Sequence, residues 1–372
     1  MKLLSRFALL LTVAGLVALV ALASPPARAA DDKTDDAKAI ADKAVAYLRT
    51  KQGKDGGFSP RFGPGVTALV VAAMIRNGYS TDDPTVKKAL DYLTKKVKAD
   101  GGIYDKELAN YTTSVAMMAL KEANKDGKFD TILKDGAAFL KSIQQNDPAG
   151  KDIKLGGVGY DAKSRPDLSN TQMFLDALLA AGVPKNDPAV QNAIKFISRC
   201  QNLPDKEKGN DQPFAAKAKE ADKGGFVYVP DPDDEKHSNG DGGLRSLGSM
   251  TYAGLKSFLY AGVDKKDPRV LGAVGWIRKN YTLDENPGYG QAGLYYYYHT
   301  FAKAMEAFGE ENFADSKGVK HEWRKDLLAA LKKRQNAKTG SFVAESKKDA
   351  FGEGDPSLAT AFALLSLSYT KK

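Results

Sequence analysis

Asp231-Pro232-Asp233-Asp234 brings three carboxyl groups together between Val229 and His237. A carboxyl kept protonated by its neighbours can hand a proton to a substrate. Clustered carboxylates, with Asp241 added, can instead ligate calcium, and Pro232 among charges suits a solvated turn. His299 and Asp355 form a second candidate, because an imidazole with a neighbouring carboxylate makes an acid/base couple near neutral pH. Asp355 also precedes Pro356 at the start of a helical segment, where capping is the competing use. Aromatic residues form a third. Tyr295, Tyr298 and His299 approach one helix face by i, i+3, i+4 spacing, and Tyr111, Phe174, Tyr252 and Phe258 stand in comparable segments. Such rings can pack a thick core, stack a sugar, hold a flat apolar ligand, or stabilise a cation by about 0.5 to 2 kcal/mol per contact.

The elements that must position these groups begin after a leader. Lys2 and Arg6, an apolar run from Phe7 to Ala23 and an Ala27-x-Ala29 site read as a secretory signal over residues 1–29. The mature chain, 30–372, is therefore expected to be exported, to the periplasm or the exterior. It carries no further apolar run long enough for a membrane span. Without Lys2, Arg6 and Arg28, 52 basic residues face 46 acidic ones and the net charge falls from +9 to +6. The charges interleave rather than cluster, which suits solvated helix faces and argues against a nucleic-acid partner. Cys200 is the single cysteine, so no intrachain disulfide or thiolate-based zinc frame can form.

About 340 mature residues are long for one simple core, and the chain is internally repetitive. Six times an amphipathic helical segment leads through a glycine-rich break into a more apolar one. Asp-Pro pairs in "DDPTV", "NDPAV" and "KDPRV", and less closely "GKFDT", mark the starts of amphipathic segments. The breaks include "GKDGGFSP", "KLGGVGYD", "DKGGFVYV" and "KTGSFVAE", in which paired glycines permit reversal and the following apolar residue can staple the turn. The apolar segments, near 65–78, 110–123, 169–182, 249–262, 295–309 and 357–369, are expected to be buried. The last is as apolar as the others, which favours closure over an open solenoid. The expected fold is all-α, an (α/α)6 toroid of six helical hairpins with one long connector, about 202–248, of a length often used as a functional lid.

"AYLRTKQGKDGGF", "AFLKSIQQN" with "GGVGY", "KFISRCQN" with "GGFVY" and "ALKKRQNAKTGSF" resemble the Gln-plus-Gly-aromatic repeat of the terpenoid cyclase and protein prenyltransferase toroids, including the squalene cyclase C-terminal repeats. The resemblance spans essentially the whole mature chain. It implies an axial cavity, and in the cyclases an Asp-x-Asp-Asp-Thr-Ala acid at the entry of an inner helix. Thr67, Thr113, Thr171, Thr251 and Thr360 stand at comparable depth in the inner segments. Ahead of Thr171 stands "DLSN", in which Asp167 matches the first acid but Ser169 and Asn170 replace the middle and last; an amide cannot donate the proton. The literal acidic run lies some 17 residues before Thr251, inside the connector. "YYYYHT" resembles the prenyltransferase zinc histidine at His299, but Arg245 and Leu247 stand where the other ligands would be, so no metal is expected. No cofactor is implied.

The toroid thus predicts cavity-lining roles for Tyr111, Thr113, Asp167, Asn170, Thr171, Thr251, Tyr252, Tyr295, Tyr298 and Thr360, and the placing of Asp355 next in the ring to His299 makes those two the catalytic pair of an active member. The expected occupant is a small apolar, isoprenoid-like ligand or a sugar, or else a protein partner docks on the ring. The enzymatic alternatives are a terpene cyclase/mutase-like isomerase with a displaced acid and a toroid polysaccharide lyase or hydrolase.

Overall fold

A computed structural model describes residues 28–146, 152–204, 210–231, 233–345 and 351–371, with side chains from residue 35 onward. The expected leader, residues 1–29, lies outside the described residues except for its last two positions.

Six helices form an inner ring: α2 (Gly65–Arg76), α4 (Ala109–Ala123), α6 (Leu168–Ala180), α9 (Gly248–Tyr260), α11 (Leu294–Phe308) and α13 (Pro356–Leu367). Each packs on the next, and α13 packs back on α2, so the ring is closed. Outside it lie α1 (Arg28–Arg49), α3 (Pro84–Thr94), α5 (Asp130–Ile143), α7 (Pro188–Arg199), α10 (Pro268–Lys279) and α12 (Trp323–Arg334). Among its described residues, the connector between α7 and α9 holds the short α8 (Pro213–Ala216) and a 3-10 turn at Glu235–His237. A small antiparallel pair, Asn312–Ala314 with Lys320–Glu322, precedes α12. The molecule is the all-α toroid that the repeats imply.

The start signals act as caps. Asp83, Asp187 and Asp267 accept from the backbone N–H groups of Thr85, Ala189 and Arg269, each at 2.9 Å, with proline as the first helical residue. The looser "GKFDT" start differs. α5 has no side-chain cap on its own residue, and Asn124 supplies one from the preceding loop by accepting from Phe129 N–H at 2.8 Å.

Two recurring side chains lock the turns, a glutamine in four repeats and a threonine in five. A glutamine at the end of the outer helix donates to the carbonyl of its own turn glycine and to a carbonyl early in the next outer helix. Gln52 bonds Gly56 and Thr85, Gln144 bonds Gly156 and Ala189, and Gln201 bonds Gly224 and Arg269. Gln335 bonds Gly340 and Ile40, which carries the last repeat onto the first helix. The turn glycine must then lie against the next outer helix: Gly156 has φ +82°, and a Cβ there would sit 2.0 Å from the Asn192 carbonyl oxygen. Only glycine fits. The second lock is the recurring threonine. Thr67, Thr113, Thr171, Thr251 and Thr360 accept from the N–H of the residue after the glycines, Phe58, Ile103, Val158, Phe226 and Phe342, at 2.8–3.1 Å. Those five stapling residues are buried, and burying a side chain of this size contributes about 1.5–3 kcal/mol.

Candidate functional site

The locked turns fix which face of each inner helix looks to the axis. Near the ends of the inner helices lies a cavity of about 230 Å³. Its apolar wall includes Leu69 and Ala72 of α2, Val115 of α4, Met173 of α6 and Leu365 of α13, and its charged and imidazole groups are Arg76, Lys121, Glu122, Asp176, His299 and Lys303.

Asp176 is the electrostatic centre. Lys256 donates to both of its carboxylate oxygens at 2.7 Å, and Lys303 donates to one of them at 2.5 Å. Lys256 also donates to Gln172. All four side chains are buried. Burial works against the Asp176 charge, but the two ammonium groups outweigh it and hold the carboxyl below its ordinary value. Burial, with the like charge of Lys303, pushes Lys256 down to about 7, despite Asp176. Lys303 goes the other way, because the Asp176 charge overcomes its burial. At the rim, Arg76 pairs with Glu122 at 3.2 Å, donates to Ser368 at 3.1 Å, and lies over the Tyr369 ring at 4.3 Å.

His299 is the one residue of the expected cavity-lining and catalytic sets that lines this cavity. It is buried, and its Nδ1 has no hydrogen-bond partner. Burial, followed by the charges of Lys303, Arg76 and Lys256, holds its pKa well below the imidazole range, so it is neutral at pH 7. The structure does not join it to Asp355. One oxygen of Asp355 accepts from the N–H groups of Ser357 and Leu358 and from the Ser59 hydroxyl, and Arg61 stands 3.7 Å from the other. The capping use wins because the start of α13 offers unpaired N–H donors.

The expected tyrosine face is rotated. Tyr295 and Tyr298 donate to the carbonyls of Val343 and Leu283, in loops outside the inner ring, and Tyr297 donates to Thr282. Tyr296 alone of the four reaches across to α6, where it meets Ser169 at 2.9 Å and accepts from Gln172 at 3.3 Å. The axial stripe of α11 is therefore Tyr296, His299 and Lys303, spaced i, i+3, i+7. Tyr252 packs edge-on to Tyr297 and Phe301, away from the cavity lining. Thr113, Thr171, Thr251 and Thr360, expected along the cavity, instead spend their hydroxyls on the turns described above.

At the other end of the inner ring, Asp167 caps α6 and accepts from Asn170 twice, from N–H and side-chain amide, each at 2.8 Å. Burial raises its pKa to about 6 against those bonds. The half-buried Tyr111 packs 6.4 Å from the Tyr160 ring. The acidic run of the connector folds beside this end: Asp231 pairs with Arg165 at 2.9 Å, while Asp234 meets His237 at 2.7 Å and His237 in turn meets Tyr289 at 2.9 Å. Asp241 pairs with Lys219. These carboxylates fasten the connector. Among the described residues, no group of three or more His, Cys, Asp or Glu is placed to hold a metal, and no helix is long and apolar enough to cross a membrane.

Sequence reasoning missed Gln172, Asp176, Lys256, Tyr296 and Lys303. The signal was present: charged residues inside helices read as buried must find partners, and here they find each other.

An apolar-walled cavity on the axis of a closed helical-hairpin ring is the architecture of a terpenoid cyclase-type toroid, and comparison with known proteins agrees. Residues 64–206 match the model of the squalene-hopene cyclase C-terminal domain. Over 142 residues the chain is 32% identical to the squalene–hopene cyclase of Zymomonas mobilis, a stretch covering 37% of this chain and 21% of that protein. The chain therefore matches about a fifth of that curated relative. Among solved structures, a type II terpene cyclase from Scytonema superposes with a TM-score of 0.55 at 13% identity, covering 92% of this chain and 98% of that one. A variant of the same cyclase, solved with its substrate geranylgeranyl dihydroxybenzoate, gives a TM-score of 0.55 at 14% identity, with 92% and 99% covered. At such identities the shared property is the fold.

Proposed function

We propose that this chain is an exported terpenoid cyclase-like toroid whose work is to hold an apolar, isoprenoid-like ligand in its axial cavity. The observation that carries this reading is the cavity's composition: an apolar wall whose two carboxyl groups, Asp176 and Glu122, are both engaged by cations. Both carboxyl groups are thus committed to ion pairs rather than presented to the apolar space. The volume of about 230 Å³ falls below the roughly 300 Å³ low end of small-molecule sites, so a short ligand, or the end of a longer one, suits it. The ligand of the Scytonema neighbour carries a geranylgeranyl chain, which supports the chemical class.

A second reading, acid catalysis, is favoured by one observation, the buried Asp167 with its pKa raised to about 6. It needs turnover of a polyprenyl alkene that disappears in Asp167→Asn while the fold survives.

The test of the main reading is native mass spectrometry of protein purified from its own host's envelope, with extraction of bound material. A stoichiometric apolar ligand is the expected result. An empty cavity together with a stoichiometric co-purifying protein would overturn the reading in favour of a scaffold.

A further inference from the structure

The charges around the cavity do not balance among the groups that form it. Arg76, Lys121 and Lys303 on the lining, with Lys256 behind them, share two carboxylates, Asp176 and Glu122. One of these, Glu122, sits at the rim with 38% of its side chain exposed. Water screens that charge, so Asp176 alone serves the buried interior, where it meets the amino groups of Lys256 and Lys303 at 2.5–2.7 Å. Burying a cation without a full counter-charge is costly. The Tyr260 ring under Lys256 and Lys303, at 5.6 and 5.7 Å, offsets part of that cost. His299 adds an orphaned group, with a buried Nδ1 that has no partner in the same cavity.

We infer that the cavity is built for a singly charged amphiphile, an apolar carboxylic acid whose carboxylate is received by Lys303, Arg76 and His299 while its chain lies along Leu69, Val115 and Met173. This inference rests on the cavity-binding reading above and gives its ligand a sign and a charge. A carboxylate supplies the missing negative charge and accepts from an imidazole N–H. A neutral alcohol of the same length fills the apolar space but leaves the surplus cation, and a cationic ligand adds to it. The volume sets the length. A cavity of about 230 Å³ is roughly seven or eight water volumes, which suits a chain on the order of eight carbons.

The experiment is isothermal titration of the full chain with octanoate and with octanol at fixed ionic strength. Octanoate is expected to bind at least about tenfold more tightly, since one charge-assisted hydrogen bond is worth a factor of that order. Lys303→Met should weaken octanoate by about tenfold or more and leave octanol unchanged. Asp176→Asn, where circular dichroism shows it folded, should strengthen octanoate, because it removes the internal competitor for both lysines; a merely structural role for the cluster predicts loss in both variants. Should Lys303→Met fail the circular-dichroism check, Arg76→Gln takes its place with the same expectation. Equal affinity for octanol and octanoate would overturn the charge assignment and leave the cavity reading standing. Binding of neither probe would remove the short-chain carboxylate, and the ligand extracted from the native protein then decides the cavity reading separately.

Discussion

The two ends of the inner ring use charged side chains in opposite ways. Where the inner helices begin, carboxylates go to the backbone: Asp167 caps α6, Asp355 caps α13, and Glu353 accepts from Tyr295 and Tyr296 N–H at the start of α11. Towards the helix ends, Asp176 meets no backbone donor, and its partners are the side chains of Lys256 and Lys303. The reason is elementary. Helix starts expose unpaired N–H groups that absorb any nearby carboxylate, whereas a charge inside an apolar helix must find a partner across the ring. In this fold, an acid at an inner-helix start therefore reads first as a cap, and a charge in mid-helix reads first as part of a site.

The largest break in that comparison is Asp176→Ala, which leaves two buried lysines facing each other. A loss of about 3–5 kcal/mol is expected in chemical denaturation, whereas Lys256→Met, which leaves the Asp176–Lys303 pair intact, should cost under about 1.5 kcal/mol. Equal losses would mean that the cluster is not centred on Asp176.

The other end is sharpened by pH. The folded-state pKa of Asp167, about 6, lies above the ordinary aspartate value of 3.8. The native state thus holds that proton more tightly, so the stability it contributes is full below about pH 4 and is lost as pH rises through about 6. Asp167→Asn keeps a good capping residue and should abolish this slope, by up to about 3 kcal/mol between the two limits. Denaturation midpoints from pH 3.5 to 7.5 measure it, and an unchanged slope would place the titration elsewhere.

Smaller effects follow for the turns and the connector. Thr251→Val leaves the Phe226 N–H without its acceptor and should cost about 1–3 kcal/mol with ligand binding unaffected; altered binding would return that threonine to the cavity. Asp233→Asn, at an exposed position of the connector, should shift stability by less than about 0.5 kcal/mol and leave any polyprenyl turnover unchanged.

The ring was legible because its determinants are local. Asp-Pro starts, paired glycines and outer-helix glutamines all act within a repeat or onto the next one, and their recurrence amplifies the signal. The site was less legible because it depends on helical phase. Tyr295 and Tyr298 are each one residue away from the axial Tyr296 and His299, and a step of one residue turns a side chain by about 100°, enough to exchange the axis for the outer layer. Threonine misled for a related reason: its recurrence marked a shared role, but a hydroxyl can bond a turn as readily as face a ligand. Asp176, Lys256 and Lys303 lie 80 and 127 residues apart along the chain, counted from Asp176. No spacing rule joins them, although each is conspicuous inside an apolar helix.

The central claim, that the axial cavity is where this protein meets its ligand, is tested most directly by filling it. Ala72 is buried on the cavity wall, and Ala72→Phe places a ring in the space. Octanol titrated into the wild type and into this variant, with circular dichroism confirming the fold, should bind the wild type and not the variant. Undiminished binding by a folded Ala72→Phe protein would contradict the account.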